Sequence, residues 1–145
     1  MRTWILNLTV ALTTSACAPA WASAPLQRAS QRPLSPAVSA QSLRDVSPAE
    51  AARFLQAYPQ AAFLDVRQPD EYAAGHARGA QLRPLGELAT WAGSLQQQQP
   101  VVLICRSGSR SAKAAQALQA RGFQQVLNIQ GGTLAWEAAG LAMDR

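Results

Sequence analysis

The stretch Val101-Val102-Leu103-Ile104-Cys105-Arg106-Ser107-Gly108-Ser109-Arg110-Ser111 contains the clearest strand signal in the chain. Residues 101–105 are apolar and mostly β-branched, and they are too few for a helix, so they predict a buried strand. A loop of small residues flanked by two arginines follows Cys105, and an Ala-rich helical pattern begins at Ser111. The sequence therefore predicts a strand that delivers one cysteine into a tight loop in front of a helix.

Short strands and helices alternate on both sides of this stretch. Two further strands are predicted over residues 61–66 and 126–129, and helices over residues 69–72, 84–95, 111–120 and 134–139. Another helix is predicted to begin after Ser47 as its N-cap, with Pro48 at the first helical position and Glu50 completing a capping box with Ser47. This alternation predicts an α/β domain whose parallel sheet is covered by helices on both faces. In such sheets the ligand site lies beyond the carboxyl ends of the strands, where Cys105 and Asp65 are expected.

The first 24 residues have the composition of a secretory signal peptide. Arg2 supplies positive charge, residues 4–16 are mostly apolar, and small residues of the Ala-x-Ala type follow. We expect cleavage near Ala22 or Ala24 and export, in a bacterium to the periplasm. The apolar stretch is short for a membrane span, so we expect no stable membrane insertion unless the chain is lipidated.

Lipidation at Cys17 is an alternative to plain cleavage. The run Thr14-Ser15-Ala16-Cys17 resembles a bacterial lipoprotein box, although Thr14 occupies a position where such boxes usually have Leu. A cytoplasmic protein with an uncleaved N-terminus is the third alternative. Residues 25–42, rich in Pro, Ser, Ala and Gln, predict a disordered linker, and residues 43–145 predict the folded domain.

Composition excludes several classes of function. The chain of 145 residues carries a formal charge of +5, but its positive charges are scattered arginines without interleaved aromatic residues. We therefore expect no binding to nucleic acid. With two cysteines, of which Cys17 would be removed or acylated, and one histidine, no metal site is expected. No organic cofactor is implied either, and Cys105 would be the only thiol of the mature protein.

The loop after Cys105 has the composition of an anion cradle around a thiolate. The backbone N–H groups of residues 106–110 can surround the sulfur, and Arg106 and Arg110 add positive charge. Gly108, flanked by Ser107 and Ser109, allows the backbone to curve. These features would lower the thiol pKa and favour a nucleophilic thiolate. The alternative is an inert buried cysteine at the end of a strand.

Several motifs in the same order resemble a single rhodanese domain of the sulfurtransferase family. They cover residues 43–143 and are Phe63-Leu64-Asp65-Val66-Arg67, Glu71-Tyr72, Gly75-His76-Ala77-Arg78-Gly79-Ala80, the loop Cys105–Arg110, and Gly131-Gly132-x3-Trp136. The resemblance implies a parallel five-stranded sheet flanked by helices on both faces. It also implies that Cys105 takes sulfane sulfur as a persulfide from a small anionic donor such as thiosulfate. The acceptor would be cyanide or a thiol, including a protein thiol.

The loop length separates this family from its relatives. Sulfurtransferases of the superfamily have a six-residue loop, as from Cys105 to Arg110, whereas the related phosphatases and arsenate reductases have Cys-x5-Arg and a wider cradle. A small phosphatase or arsenate reductase is thus the weaker alternative, and a carrier of sulfane sulfur without turnover is the stronger one. Ser107 and Glu71 replace cations of the classical two-domain enzyme, which predicts weaker binding of thiosulfate.

The remaining polar and aromatic residues of these motifs are predicted to be structural. Asp65 is expected to pair with Arg67 or with backbone N–H groups and to support the loop from the end of its strand. His76 is expected to form a structural hydrogen bond, since a thiol of low pKa needs no general base. Trp136 is expected in the core, and Gly131-Gly132 is expected to provide backbone geometry rather than phosphate binding.

Overall fold

Five parallel strands form the central sheet of the structure, a computed structural model that describes residues 42–145. The strands are β1 (Ser42–Val46), β2 (Ala62–Asp65), β4 (Gln81–Leu82), β5 (Val101–Ile104) and β6 (Gln125–Ile129). Across the sheet they lie in the order β1, β6, β5, β2 and β4. The expected parallel five-stranded sheet is confirmed. The predicted signal peptide, Cys17 and the linker up to residue 41 lie outside the described residues.

Helices cover both faces of this sheet. The helices are α1 (Pro48–Ala57), α2 (Pro69–Ala73), α3 (Leu88–Ala92), α4 (Ser109–Ala120) and α5 (Gly132–Ala138). One core packs α3 and α4 against Val101, Leu103 and Cys105. The other core packs α1 and α5 against Val102 and Ile104. Because successive side chains of β5 point to opposite faces, a strand in the middle of the sheet contributes to both cores.

The position of β5 explains its composition. It pairs with β2 on one side and β6 on the other, and all four of its residues are fully buried. A strand that is buried on both faces has no exposed position for a polar residue, so it consists of a continuous apolar run. The carboxyl ends of β2 and β5 lie side by side, with Asp65 opposite Ile104. Cys105 therefore leaves the sheet at its centre.

The predicted start of α1 is confirmed in atomic detail. The Ser47 hydroxyl accepts a hydrogen bond from the Glu50 N–H at 3.3 Å, and the Glu50 carboxylate accepts one from the Ser47 N–H at 2.8 Å. These reciprocal bonds satisfy two N–H groups that the helix cannot pair internally. The short helix α2 also lies where it was predicted, and it ends before Gly75.

Other elements differ from the sequence-based prediction. The helix predicted over residues 84–95 is a 3-10 turn (Leu85–Glu87) followed by the five-residue α3, with Gly86 inside the first turn disfavouring a continuous α-helix. Helices α4 and α5 each begin two residues earlier than predicted, because Gly108 and Gly131 adopt left-handed conformations that start them. Strand β1 was not predicted; its exposed Arg44 and Asp45 are typical of a sheet edge.

A small antiparallel sheet connects the end of the chain to the segment after α2. It joins β3 (His76–Ala77) to β7 (Met143–Asp144), and Arg78 forms an ion pair with Asp144 at 2.9 Å. Strands of two residues carry no periodicity, so these were not predicted. Within residues 42–145, no helix is both long enough and apolar enough to cross a membrane.

Candidate active site

Cys105 lies directly after the last residue of β5, at the mouth of the loop that leads into α4. The residue is 1% exposed, and within residues 42–145 it is the one free cysteine. The Gly108 N–H donates to its sulfur at 3.1 Å, and the Ser111 hydroxyl donates to it at 3.3 Å. The loop thus turns back on the cysteine and presents hydrogen-bond donors to Sγ.

Two opposing influences determine the ionisation of Cys105. Burial, the largest single influence, raises the pKa of the thiol because it disfavours the charged form. Hydrogen bonds from the Ser111 side chain and from the N–H groups of Ser111, Ser107 and Gly108 favour the thiolate. Together these bonds outweigh burial, so the pKa of Cys105 lies below its ordinary value. The site therefore favours a nucleophilic sulfur in a shielded place.

Glycine 108 makes this turn possible. Its φ of +94° is in the left-handed region, and a Cβ there would lie 3.1 Å from the Gly131 nitrogen and 3.2 Å from the Ile129 oxygen. Only glycine adopts this conformation without cost and allows so close an approach of two backbone segments. Gly108 therefore lets the loop pack against the end of β6 while its N–H points at Cys105.

The first turn of α5 holds the loop from the other side. The Thr133 N–H donates to the Cys105 carbonyl at 2.7 Å, and the Leu134 N–H donates to the Arg106 carbonyl at 3.3 Å. These N–H groups have no partner inside their own helix, so the loop carbonyls satisfy them. A Cβ on Gly132 would overlap the Cys105 oxygen and the Arg106 carbonyl group. The Gly131-Gly132 pair provides backbone geometry, as predicted.

The last arginine of the loop forms an ion pair with α2. Arg110 donates from Nη1 and Nη2 to the two carboxylate oxygens of Glu71, at 2.6 and 2.7 Å. The hydrogen bonds from Arg110 hold the pKa of Glu71 far below its usual range, at about 2. The sequence predicted that Arg110 would supply positive charge to a donor, but both of its Nη atoms are engaged by a carboxylate. The contact between Arg110 and Glu71 was not predicted from the sequence.

The other predicted substrate-binding residues lie around the turn. Arg106, Ser107 and Ser109 are exposed, and the Ser107 N–H is one of the groups that lower the pKa of Cys105. Within the described residues, Arg106 makes no ion pair, so its guanidinium is available to an anion at the surface. Gly108 is buried beneath them.

Asp65 and Arg67 form a buried pair beside the loop. The Asp65 carboxylate accepts from the Arg67 N–H and from its guanidinium, with Nη2 at 2.7 Å from Oδ2. Arg67 also donates to the Gly75 carbonyl at 2.8 Å. In the part of the chain that the structure describes, no hydrogen bond from either side chain reaches residues 106–110. The pair joins the end of β2 to the segment after α2, and it does not bond the loop.

His76 and Trp136 have the structural roles that were predicted. The His76 ring stacks on Tyr72 at 3.7 Å, and its Nδ1 lies 3.1 Å from the Tyr72 carbonyl. Trp136 is 4% exposed, packs against Phe63 and donates from Nε1 to the Ala142 carbonyl.

Ser111 is a further residue of the site, and its contribution is not predicted from the sequence. This residue is fully buried on the inner stripe of α4, which it shares with Ala114, Ala115 and Leu118. Its hydroxyl lies 3.3 Å from the Cys105 sulfur and 3.1 Å from the Gly108 carbonyl, and its one proton can serve either. A serine on an otherwise apolar helical stripe was the available signal, because a buried hydroxyl needs a partner.

Comparison with known proteins agrees with this geometry. The family model of the rhodanese-like domain matches residues 47–139. Thiosulfate sulfurtransferase GlpE of Pseudoalteromonas translucida is 36% identical over 75 residues, which is 52% of this chain and 71% of GlpE. "Putative sulfur carrier protein YrkF" of Bacillus subtilis is 38% identical over 73 residues, 50% of this chain and 40% of YrkF.

Solved structures of rhodanese-related proteins also resemble this fold. A rhodanese-related protein from Thermoplasma volcanium superimposes with a TM-score of 0.62 and 27% identity, covering 70% of this chain and 97% of that one. The chain spans only 24% to 66% of the length of several curated bacterial relatives. Sulfurtransferases and a protein named as a sulfur carrier are thus both among its homologues. From its fold, its loop and these matches, the chain belongs to the rhodanese-like domain family.

Proposed function

We propose that this protein is a sulfurtransferase that moves sulfane sulfur through a persulfide on Cys105. The observation that carries the proposal is the environment of the Cys105 sulfur, which accepts hydrogen bonds from Gly108 and Ser111 and whose pKa is lowered by them. The same donors that stabilise a thiolate would stabilise the outer sulfur of a persulfide, which also carries negative charge.

The reaction takes place in two displacements. The Cys105 thiolate attacks the outer sulfur of a donor such as thiosulfate; a new S–S bond forms, and sulfite leaves with the electron pair of the broken bond. A thiophilic acceptor, such as cyanide or a thiol, then attacks the outer sulfur of the persulfide. With cyanide this step yields thiocyanate and restores the Cys105 thiolate. Charge and atoms balance without a metal or an organic cofactor.

Two relatives support different versions of this chemistry. The similarity to thiosulfate sulfurtransferase GlpE supports turnover with thiosulfate. The similarity to YrkF supports the second candidate function, a carrier that takes sulfane sulfur on Cys105 and releases it only to a partner thiol. Both versions need the same nucleophile, and they differ in whether a small acceptor completes the cycle.

Formation of thiocyanate from thiosulfate and cyanide tests the proposal. We expect turnover by the wild type and none by Cys105→Ser. Ser94→Ala, which loses a hydroxyl away from the loop, is the control and should keep the wild-type turnover. Stoichiometric persulfide on Cys105 without thiocyanate would favour the carrier. Undiminished thiocyanate from Cys105→Ser would refute the role of this cysteine, and phosphate release from an aryl phosphate would favour the phosphatase alternative.

We also propose that the protein acts after export, with residues 1–24 as its signal peptide. The support is the order of Arg2, the apolar stretch over residues 4–16 and the small residues before Pro25. N-terminal sequencing of the exported protein is expected to begin at Ser23 or Pro25. An acylated Cys17 would instead identify a lipoprotein, and an intact Met1 would contradict export.

A further inference from the structure

The ion pair between Glu71 and Arg110 changes the charge that the loop offers to a donor. Both contacts are short, at 2.6 and 2.7 Å, and they use both Nη atoms of the guanidinium and both oxygens of the carboxylate. The Arg110 side chain is 34% exposed and the Glu71 side chain is 27% exposed, so the pair lies at the surface of the site. A planar bidentate pair of this kind is geometrically specific as well as strong.

Two other arginines, Arg67 and Arg106, differ in whether a carboxylate engages them. Arg67 is engaged by Asp65 at 2.7 Å in a buried pair. Arg106 is exposed and, within residues 42–145, makes no ion pair. Ser107, next to it in the loop, brings no charge. Of the two arginines in the loop, Arg110 therefore has its charge compensated by Glu71, whereas Arg106 has no ion pair within the described residues.

Donors of sulfane sulfur differ in the negative charge that they bring into this site. Thiosulfate is a dianion, so its approach to the Cys105 thiolate brings three negative charges together, and sulfite carries two of them away. A protonated thiol persulfide transfers sulfur by Cys105–S⁻ + R–S–SH → Cys105–S–SH + R–S⁻, with one negative charge throughout. Neutralisation of a guanidinium at the rim slows the first reaction more than the second, because the attraction that is lost scales with the charge of the donor.

We propose that Glu71 is a specificity-determining residue that neutralises Arg110 and thereby favours thiol persulfides with at most one net negative charge over dianionic thiosulfate. This inference rests on the proposed function of Cys105 as the sulfur acceptor. It assigns Glu71 no part in bond making: its effect is exerted on the donor, through the charge of Arg110.

Single-turnover loading of Cys105 tests the inference for an enzyme and for a carrier alike. The purified protein is mixed with thiosulfate or with cysteine persulfide, and the gain of one sulfur atom is followed by mass spectrometry. For Glu71→Gln we expect about a fivefold faster loading from thiosulfate and less than about a twofold change with cysteine persulfide. The matched control is Glu137→Gln, which removes the same charge from the exposed pair with Arg145 and should change neither rate.

A double variant shows whether Arg110 transmits the effect. Arg110→Gln together with Glu71→Gln should lose the gain with thiosulfate, because no released guanidinium is then present. Glu71→Ala should give the same change of donor ratio as Glu71→Gln, and it serves if the glutamine variant does not fold. An unchanged ratio, or an equal fall of both rates, would overturn the inference while leaving the proposed function intact. Absence of persulfide on wild-type Cys105 with both donors would instead refute the proposed function.

Discussion

At the scale of single residues, the reactivity of Cys105 depends on the donors that face its sulfur. The strand end buries the thiol, and burial alone would favour the neutral form. The Ser111 hydroxyl is the largest influence in the other direction, followed by three backbone N–H groups. Ser111 is itself fully buried on α4, so its position is fixed by packing. A side chain six residues after Cys105 therefore lowers the pKa of its thiol.

Replacement of Ser111 by Ala tests this role. The rate of alkylation of Cys105 by iodoacetamide should rise with pH as the thiol ionises, with a wild-type midpoint below that of an ordinary cysteine. In Ser111→Ala we expect the midpoint to move upward, because the hydrogen bond from the Ser111 hydroxyl to the thiolate is lost. Ser94→Ala loses a hydroxyl bond to the Trp91 carbonyl and should keep the wild-type midpoint. A downward shift would contradict the assignment.

At the scale of secondary-structure elements, the loop is held between two helices. Helix α4 begins at its end, and the first turn of α5 donates to the Cys105 and Arg106 carbonyls. This contact requires the α5 backbone to approach the loop without an intervening Cβ, which explains glycine at position 132. The helix that follows β6 thus fixes the geometry of a loop that follows β5.

Replacement of Gly132 by Ala should damage both stability and sulfur transfer. The new Cβ would overlap the Cys105 and Arg106 carbonyl groups, so we expect a loss of about 3 kcal/mol or more in the free energy of unfolding. Gly140→Ala is the matched control, because Gly140 also has a positive φ but has nothing within 4 Å of the added Cβ. That control should lose only about 1–2 kcal/mol and keep its activity. Equal effects in urea denaturation would show that backbone strain, and not the contact with the loop, is decisive.

At the scale of the whole molecule, ion pairs connect segments that follow different strands. The Glu71–Arg110 pair joins α2, which follows β2, to α4, which follows β5. The β3–β7 pairing and the Arg78–Asp144 pair attach the end of the chain to the segment after α2. The segment around α2 is therefore tied both to the Cys105 loop, through Arg110, and to the last strand of the chain.

The Glu71–Arg110 pair should make part of the stability depend on acid pH. The pKa of Glu71 falls from its ordinary value of 4.5 to about 2 in the folded protein. A lowered pKa stabilises the fold fully above about 4.5, and this contribution is lost as the pH falls toward about 2. We expect the unfolding free energy of Glu71→Gln to fall less than that of the wild type between these two pH values. Glu137→Gln should keep the wild-type dependence; a loss of the dependence in that variant would contradict the assignment.

The sequence alone determined the elements whose signals are local. The apolar run of β5, the capping box at Ser47 and the alternation of strands and helices predicted the α/β architecture, because burial on both faces and helix capping depend on neighbouring residues. Local signals also identified the Cys105 loop, because a strand, a glycine turn and the start of a helix follow one another directly in the sequence. It did not predict β1, β3, β4 or β7, which are short or polar and are held by pairing with distant strands.

Only the tertiary structure decided how the loop is charged and held. Glu71 and Arg110 are 39 residues apart in the chain, and nothing in their local sequence specifies that they meet. The contact of Gly132 with Cys105 and the hydroxyl of Ser111 on its sulfur likewise depend on how α4 and α5 pack against the sheet. The sequence therefore determined where Cys105 lies, at the end of a buried strand and before a helix, whereas packing between distant segments determined its electrostatic surroundings, because charge and steric contact depend on distance in space.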